Sequence, residues 1–226
     1  TVSVVGVDAC RRGWVAVELR AGEVVAAHFL PTIGAIAEAC PAAEVVAIDI
    51  PIGLPESGRR LADVEAKALL GPRQNSVFFT PPRAALTAAT HAEGTARSVA
   101  LTGFGMSQQA YALRDKVMEV ERWAPMSLCP VIEVHPEVCF AEMLGGPASA
   151  PKKSWQGMVE RYRVLATAGI FLEELTGDAA RAASVDDMLD AGAAAWTAAR
   201  FQRGEARSLP HLPPTDPGGR STAIWV

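Results

Sequence analysis

Three short apolar runs in this sequence each end on a carboxylate, and this pattern limits how the chain can fold. The runs are residues 4–8, 45–49 and 131–133, and they end on Asp8, Asp49 and Glu133. An acidic side chain at the end of a buried strand is costly unless it is paired, hydrogen-bonded or bound to a metal. A fourth acidic segment, residues 185–191, opens a helical pattern. We therefore predict that the four segments meet in one metal-binding pocket.

The length and composition fit one independently folding domain. With 226 residues, of which 50% are hydrophobic, the chain can bury a full core as a single domain over residues 1–226. No apolar run approaches the roughly 18 residues that a membrane span requires, and no signal-peptide pattern is visible. The four cysteines show neither a C-x-x-C pair nor zinc-ligand spacing. These features predict a cytoplasmic protein that has reduced thiols and does not contact a membrane.

The first fifty residues predict an antiparallel meander followed by a crossover. Three segments rich in valine and alanine are joined by hairpin-sized connections. They are residues 2–8, 13–20 and 23–30. A helix from about 32 to 40 then leads to a nearly all-apolar strand over 44–50, which should run parallel to the first strand. Asp8 and Asp49 would lie side by side at the carboxyl ends of adjacent strands, where open α/β sheets place their ligands.

The middle of the chain, residues 51–128, is predicted to be a helical insertion or cap between the fourth strand and a fifth strand at 129–134. The other predicted elements are helices near 60–70, 106–122, 136–143, 153–175 and 184–203, a turn-forming tail at 213–219 and an edge strand at 222–226. The expected fold is α/β. It is a five-stranded mixed sheet, with three antiparallel strands and then two parallel ones, flanked by helices.

Clustered carboxylates are typical ligands of hard divalent cations such as Mg²⁺ or Mn²⁺. Two such cations about 4 Å apart stabilise both the attacking and the leaving oxygen of an in-line phosphoryl displacement. Asp8 would bridge the cations from the central strand, with Asp49 and Glu133 on its neighbours. Asp187 and Asp190 are three positions apart and share one helix face, so either or both would close the site.

A structural role is the alternative for each of these acids. A strand-end aspartate often accepts backbone N–H bonds, and acids at a helix N-terminus interact favourably with the helix dipole. Asp186 should point elsewhere on its helix and serve as a cap or surface residue. The convergence of four distant segments on one predicted sheet edge favours the metal site over separate structural roles.

The net charge of −4 argues against a basic face that coats nucleic acid without regard to sequence. Local basic patches near the predicted site remain available for phosphate contacts, although solvated surface charge is the simpler explanation of each. They include Arg11-Arg12, Arg59-Arg60 and Lys152-Lys153. The candidates chosen for substrate binding are Arg12, Arg73, Arg83 and His135. His135 is equally well explained as a structural histidine.

Several blocks taken together resemble domain of unknown function family 429. They are Gly6-Val7-Asp8 with Arg12-Gly13-Trp14, Ile48 through Pro55, Arg60 through Asp63 and Ala66 to Leu70-Gly71, Ser76-Val77-Phe78 with Pro81-Pro82-Arg83, Glu133 through Glu137, and Asp186-Asp187 with Asp190-Ala191. The blocks occur in order over almost the whole chain. The resemblance implies a predicted nuclease of the ribonuclease H-like fold, distantly related to Holliday-junction resolvases. It also implies a metal site at Asp8, Asp49, Glu133 and Asp187 or Asp190.

The leading functional hypothesis is a metal-dependent phosphodiesterase that hydrolyses DNA or RNA by a two-metal-ion mechanism. One alternative is a nucleotide-binding phosphotransferase, but the chain lacks a second domain and Gly-rich phosphate loops. Another alternative is a non-catalytic scaffold that binds a protein or nucleic acid. A resolvase-like reaction on a symmetric junction would call for a homodimer, although the sequence shows no unambiguous interface helix.

Overall fold

The computed structural model describes residues 2–216 and 219–226. Its first three strands form the predicted antiparallel meander. They are β1 (Ser3–Cys10), β2 (Gly13–Arg20) and β3 (Glu23–Leu30). Two-residue turns join them, and in the second turn Ala21 and Gly22 have positive φ angles of 52° and 86°. Positive φ at both central residues matches the natural twist of a hairpin and favours this tight connection.

The chain then crosses to the other side of β1. A 3₁₀ turn (Ile33–Ala35) and the short helix α1 (Ile36–Ala39) occupy the predicted helical region and lead to β4 (Ala43–Ile48). β4 runs parallel to β1, and β5 (Val131–Val134) runs parallel to β4. The resulting order, β3-β2-β1-β4-β5, has three antiparallel strands followed by two parallel strands, as the sequence predicts.

The described residues form a sheet of seven strands, so the prediction of five is wrong. β7 (Ile224–Trp225) runs parallel to β5, and β6 (Ser208–Leu209) pairs antiparallel with β7 at the sheet edge. β7 lies inside the edge strand predicted at 222–226. β6 has only two residues, too few to show an alternating pattern in the sequence. Residues 217 and 218 of the predicted turn at 213–219 lie outside the described residues.

Helices cover both faces of this sheet. Between β4 and β5 lie α2 (Leu61–Leu70), α3 (Arg83–Leu86), α4 (His91–Thr102), α5 (Gln108–Ala112) and α6 (Arg114–Trp123), with 3₁₀ turns at Gly71–Ser76 and Ala124–Met126. After β5 come α7 (Pro136–Leu144), α8 (Trp155–Thr167), α9 (Gly177–Ala182) and α10 (Val185–Gln202). In the described part of the chain, no helix is both long and apolar enough to cross a bilayer.

Several helices differ from the predictions. The helix predicted at 106–122 is divided into α5 and α6, and α8 ends well before residue 175. Gly169, with a φ of 83°, follows the end of α8 in the left-handed conformation that commonly terminates helices. α4 was not predicted individually, although Thr90 caps its first turn and Gly103 ends it in the left-handed region. Both signals are present in the sequence.

Alternation along the strands separates two cores. Val5 and Val7 of β1, with Val46 and Ile48 of β4, pack against the helical segment between β4 and β5. The intervening positions of the strands face α10 and its neighbours. In a strand, successive side chains point to opposite faces of the sheet. This alternation decides which of the strand-end acids can meet.

Gly6 allows α10 to lie directly against β1. A Cβ atom at this position would be 1.9 Å from the amide nitrogen of Ala195 and 2.2 Å from the carbonyl oxygen of Ala191. Any larger residue would push the helix away from the sheet, because the obstruction is backbone. Asp190 immediately precedes Ala191, so this close packing brings Asp190 towards the end of β1 that carries Asp8.

Candidate metal centre

Asp8 and Asp49 project to the face of the sheet that α10 covers. Asp8 is two positions after Gly6 in β1, and Asp49 is two positions after Ala47, which packs in the same core as α10. Asp49 donates its backbone N–H to the Val7 carbonyl, which keeps the two strand ends adjacent. The structure therefore brings these two acids together with Asp190 from α10.

The three carboxylates crowd one another. Burial, followed by the charges of Asp49, Asp190 and Asp187, raises the pKa of Asp8 well above its usual value. Burial also raises the pKa values of Asp49 and Asp190 to about 7, even though Lys152 acts in the opposite direction on both. Desolvation and like charge both disfavour the ionised form of a carboxyl group. The protein alone therefore disfavours the state in which all three aspartates are ionised.

Lys152 supplies the positive charge in the centre. Its Nζ donates to Asp190 Oδ2 at 2.7 Å and lies 3.9 Å from Asp186 Oδ2. Burial alone would lower the pKa of Lys152, but the carboxylates of Asp190, Asp49 and Asp8 outweigh it and hold that pKa above its usual value. One ammonium group thus faces several acids.

A buried arginine anchors the loop that carries Lys152. Arg161 of α8 is 1% exposed, and its Nε and Nη2 donate to the Glu137 carboxylate at 2.9 and 2.7 Å. Its Nη1 donates to the carbonyl of Ala150 at 3.2 Å, two residues before Lys152. A Cβ at Gly157 would lie 2.0 Å from the Pro151 oxygen, so α8 packs tightly against the same loop. These contacts fix the path of the backbone that presents the ammonium.

The three acidic residues at the start of α10 make different contacts. Asp190 is 2% exposed, and its Oδ1 is buried without a hydrogen-bond partner among the described residues. Asp187 is half-buried and completes a capping box with Ser184, whose backbone N–H it accepts at 2.9 Å. Asp186 accepts a hydrogen bond from the hydroxyl of the N-cap residue Ser184 at 2.6 Å, as expected of a cap residue, and it also lines the cavity beside Lys152. Residues in the first turn of a helix can project beyond its end, which a face assignment from spacing does not capture.

Glu133 belongs to a different group of charges. It pairs in register with Ile48, so both side chains lie on the sheet face opposite α10. There Glu133 Oε2 accepts from Arg60 Nη2 at 2.6 Å and from the Ile52 amide at 2.7 Å. Burial raises the pKa of Glu133 to about 7, although Arg60 and Ile52 oppose that shift. The structure does not bring Glu133 into the charge cluster of the aspartates.

Arg60 ties Glu133 to two more residues. Its Nε lies 3.8 Å from Asp63 Oδ1, and its Nη1 donates to Thr80 Oγ1 at 3.2 Å. Asp63 in turn accepts the Thr80 backbone N–H at 2.7 Å. We call Arg60, Asp63, Thr80 and Glu133 the Arg60 network. It connects the start of α2, the loop before α3 and the end of β5.

The four predicted substrate-binding residues lie in different places. Arg73 and His135 line the same cavity as Asp49 and Asp190, whereas Arg12 is exposed on the β1–β2 turn above the Phe29 ring. Arg83 pairs with Glu121, which also binds Arg220. His135 donates from Nε2 to the Ser76 carbonyl at 3.3 Å if that nitrogen carries the proton.

A cavity of about 680 Å³ opens beside the centre at the carboxyl ends of β4 and β5. Its polar lining includes acidic and basic side chains from six separate segments. They are Asp49, Asp63, Arg73, Glu133, His135, Glu137, Lys152, Lys153, Asp186 and Asp190. The cavity therefore combines carboxylates that can hold a cation with basic groups that can contact an anion.

The distances between potential ligand atoms do not by themselves identify the acidic centre as a metal site. Among the described residues, the group with three ligand atoms all within 4.8 Å of one another is Glu18, His28 and Cys40, at the other end of the sheet. In the acidic centre, Lys152 lies among the carboxylates. The sequence shows Lys152 only as a loop charge, because nothing in its neighbourhood reveals that Arg161 will hold the loop against α10.

Comparison with known proteins identifies a family. A family model described as "Protein of unknown function (DUF429)" matches residues 6–215. No curated protein and no solved structure matches the chain. The matched range contains the acidic centre, Lys152 and the Arg60 network. It therefore extends over both groups of strand-end carboxylates and the helical segment between β4 and β5.

Proposed function

The chain belongs to the family described as "Protein of unknown function (DUF429)", and we propose that it is a metal-dependent nuclease with a ribonuclease H-like fold. One observation carries the proposal. Asp8, Asp49 and Asp190 converge from two parallel strands and one helix, and their raised pKa values mean that the protein alone disfavours ionising all three. A site of this kind is completed by a cation, and it adjoins a cavity at the ligand-binding edge of the sheet.

The donor set fits Mg²⁺ or Mn²⁺. Carboxylate oxygens are the ligands that these hard cations prefer. Asp190 Oδ1 is buried and lacks a partner among the described residues, so it is available to a cation without loss of an existing bond. Asp8, Asp49 and Asp190 would hold the ion, and Asp187 lies close enough to raise the pKa of Asp8. When bound, such a cation activates water and offsets the charge of a phosphodiester.

Glu133 has a supporting role in this proposal. Its pairing with Arg60 and Ile52 holds the loop after β4, and that loop begins at Asp49. Loss of Glu133 would leave Arg60 buried without one of its counter-ions, which is costly in itself. The ligand set proposed here therefore consists of the aspartates, whereas the sequence alone had included Glu133.

Basic groups of the cavity would orient the substrate. Lys153 is exposed at the cavity wall, and Arg73 is held there by a bond from its Nε to the Ala148 carbonyl at 3.1 Å. Both groups can bind phosphate oxygens of DNA or RNA without reading the base sequence. The cytoplasm remains the proposed compartment, since none of the four cysteines forms a disulfide in the structure.

A non-catalytic scaffold is the second candidate, and Lys152 is the observation that favours it. The ammonium already bonds Asp190 at 2.7 Å and attracts Asp49 and Asp8. If Lys152 holds this position permanently, the centre is an internal ion cluster that needs no metal. The cavity would then bind nucleic acid through its basic side chains without cleaving it.

The test is cleavage of labelled single-stranded, duplex and junction DNA and of RNA, with Mg²⁺ or Mn²⁺. We expect cleavage that requires the metal and is lost in Asp8→Asn and Asp190→Asn. Asp115→Asn is the matched control, because Asp115 is an exposed acid on α6. Calorimetric titration with Mn²⁺ alone separates the candidates. Absence of both Mn²⁺ binding and cleavage in the folded wild type would leave the scaffold as the better explanation.

A further inference from the structure

A second group of potential metal ligands lies at the opposite end of the sheet. Glu18 of β2, His28 of β3 and Cys40, directly after α1, place one ligand atom each within 4.8 Å of one another. The Ser3 hydroxyl at the start of β1 lies beside Glu18 and helps to lower its pKa. Ser3 is five residues before Asp8, a separation of about 16 Å along a strand. The group is therefore separate from the acidic centre.

The strand register places Glu18 and His28 on one face. His28 pairs with Ala16, so Glu18 is its diagonal neighbour two positions along β2. His28 Nε2 and Glu18 Oε2 are 3.3 Å apart. Two ligands of one tetrahedral zinc ion are separated by roughly 3.3–3.8 Å, given metal–ligand distances of about 2.0–2.3 Å. The two side chains already have this separation.

Arg20 orients the carboxylate. Its Nη2 and Nε donate to Glu18 Oε1 at 3.0 and 3.3 Å, while Oε2 faces His28. Outer partners of this kind commonly fix the ligating oxygen of a metal-bound carboxylate. Glu18 and Cys40 are each 3% exposed, whereas the His28 side chain is 24% exposed. The group is buried on two sides and reachable from solvent at the imidazole.

The chemistry of the three groups selects a borderline cation. Burial, and then the Glu18 carboxylate, raise the pKa of Cys40 to about 12, so Cys40 is a neutral thiol when no cation is present. A divalent ion would bind thiolate and carboxylate together, and the charges of the ion and these two ligands would cancel. Sulfur and imidazole ligands suit Zn²⁺ and not Mg²⁺.

We propose that Glu18, His28 and Cys40 bind one Zn²⁺ ion, which fastens the end of α1 to strands β2 and β3. Three protein ligands leave a fourth position for water on the exposed side of His28. On binding, the Cys40 thiol releases its proton to solvent, and no electron transfer is involved. The proposal does not depend on the nuclease, because the acidic centre shares none of these residues.

Co²⁺ titration of the purified, metal-free protein tests the site. Cobalt bound through a thiolate gives a sulfur-to-cobalt charge-transfer band in the near ultraviolet, which a carboxylate site does not give. We expect one equivalent of Co²⁺ to produce the band and one equivalent of Zn²⁺ to remove it. The acidic-centre variant Asp8→Asn should behave as the wild type does, so the result is independent of nuclease activity.

Two variants and a matched control test whether the charge-transfer band arises from the proposed ligands. Cys40→Ser should abolish it, and His28→Gln should weaken Co²⁺ binding by more than about tenfold. Cys129→Ser is the control, because Cys129 is a free cysteine outside the group. If Cys40→Ser fails to fold by circular dichroism, His28→Gln decides. The proposal is overturned if the wild type gives no band, or if His28→Gln leaves Co²⁺ affinity unchanged.

Discussion

Two groups of buried carboxylates lie near the same edge of the sheet, on opposite faces, and they differ in their balance of charge. In the Arg60 network, Glu133 and Asp63 share a guanidinium group that several hydrogen bonds hold in place. In the acidic centre, three aspartates share one ammonium. Each group includes an acidic residue at the end of a strand. Position at a strand end therefore does not by itself distinguish a structural acid from a functional one.

This difference in charge balance predicts which buried charges stabilise the fold and which do not. Removing one partner of a buried pair leaves an uncompensated charge, so the Arg60 network should be sensitive to loss of its cation. In the acidic centre, burial and neighbouring acids make it unfavourable to ionise all three aspartates at once. A fold retains such a cost most readily where a ligand or substrate later removes it.

The largest expected effect is loss of the cation from the Arg60 network. Arg60→Met should destabilise the protein by about 3–5 kcal/mol, because Glu133 and Asp63 then remain buried without their partner. Urea unfolding at pH 8 measures this free energy. The control is Arg97→Met, which breaks an exposed pair with Glu93 and should cost less than about 1 kcal/mol. Equal effects of the two substitutions would remove the distinction between balanced and surface charges.

The second prediction concerns pH. Asp49, Asp190 and Glu133 have folded-state pKa values of about 7, above the value near 4 of an unfolded carboxyl group. The folded protein therefore binds more protons than the unfolded chain between these values, and its stability must fall as pH rises from 5 to 7. One additional bound proton corresponds to a loss of about 2–3 kcal/mol over that range.

Urea unfolding in EDTA at pH 5, 6 and 7 checks this slope. Comparing Asp49→Asn with Glu133→Gln shows which face of the sheet supplies it. We expect Asp49→Asn to reduce the slope and saturating Mn²⁺ to reduce it further, because the cation favours the ionised carboxylates. Stability that rises with pH would contradict the raised pKa values.

The third prediction concerns the single ammonium of the acidic centre. Lys152→Met should tighten Mn²⁺ binding by about tenfold at low ionic strength, equivalent to about 1.4 kcal/mol, because the competing positive charge is gone. Lys153→Met is the matched control, since Lys153 is the exposed neighbour and makes no ion pair with the aspartates among the described contacts. Calorimetry measures both affinities. Unchanged or weaker binding in Lys152→Met would mean that Lys152 supports the site and does not compete for it.

The sequence predicted most of the secondary-structure elements that carry the two groups of carboxylates. Apolar runs and hairpin-sized turns were enough to place β1 to β5 in the correct order, and the acidic start of α10 was recognised from spacing. The sequence grouped Glu133 with Asp8, but the structure places the two side chains on opposite faces of the sheet. The face on which a strand-end residue lies depends on the strand register. Glu133 lies opposite Ile48, and no local pattern reports that pairing.

The position of Lys152 in the acidic centre also could not be predicted from its neighbours in the sequence. Its position depends on Arg161, which bonds Ala150 and Glu137 from a different helix. Gly6 was visible as a glycine in a valine-rich strand, but the closeness of α10 could be inferred only once the helix was packed on it. Long-range packing of this kind sets the charges around a site, whereas periodicity sets the elements that carry them.

The smallest expected effect compares one acid from each group. Asp8→Asn should stabilise the metal-free protein by about 0.5–2 kcal/mol, because it removes a group whose ionisation is opposed by burial and by neighbouring acids. The new amide oxygen can still accept the Ala9 N–H bond, which is 2.7 Å long in the wild type. Glu133→Gln should instead destabilise the protein, because the amide replaces a carboxylate that accepts hydrogen bonds from both Arg60 and the Ile52 backbone N–H. Thermal unfolding in EDTA measures both changes, and Mn²⁺ should raise the melting temperature of Glu133→Gln but not that of Asp8→Asn. Destabilisation by both substitutions would show that the acidic centre is balanced as the Arg60 network is, and the case for a cation there would fail.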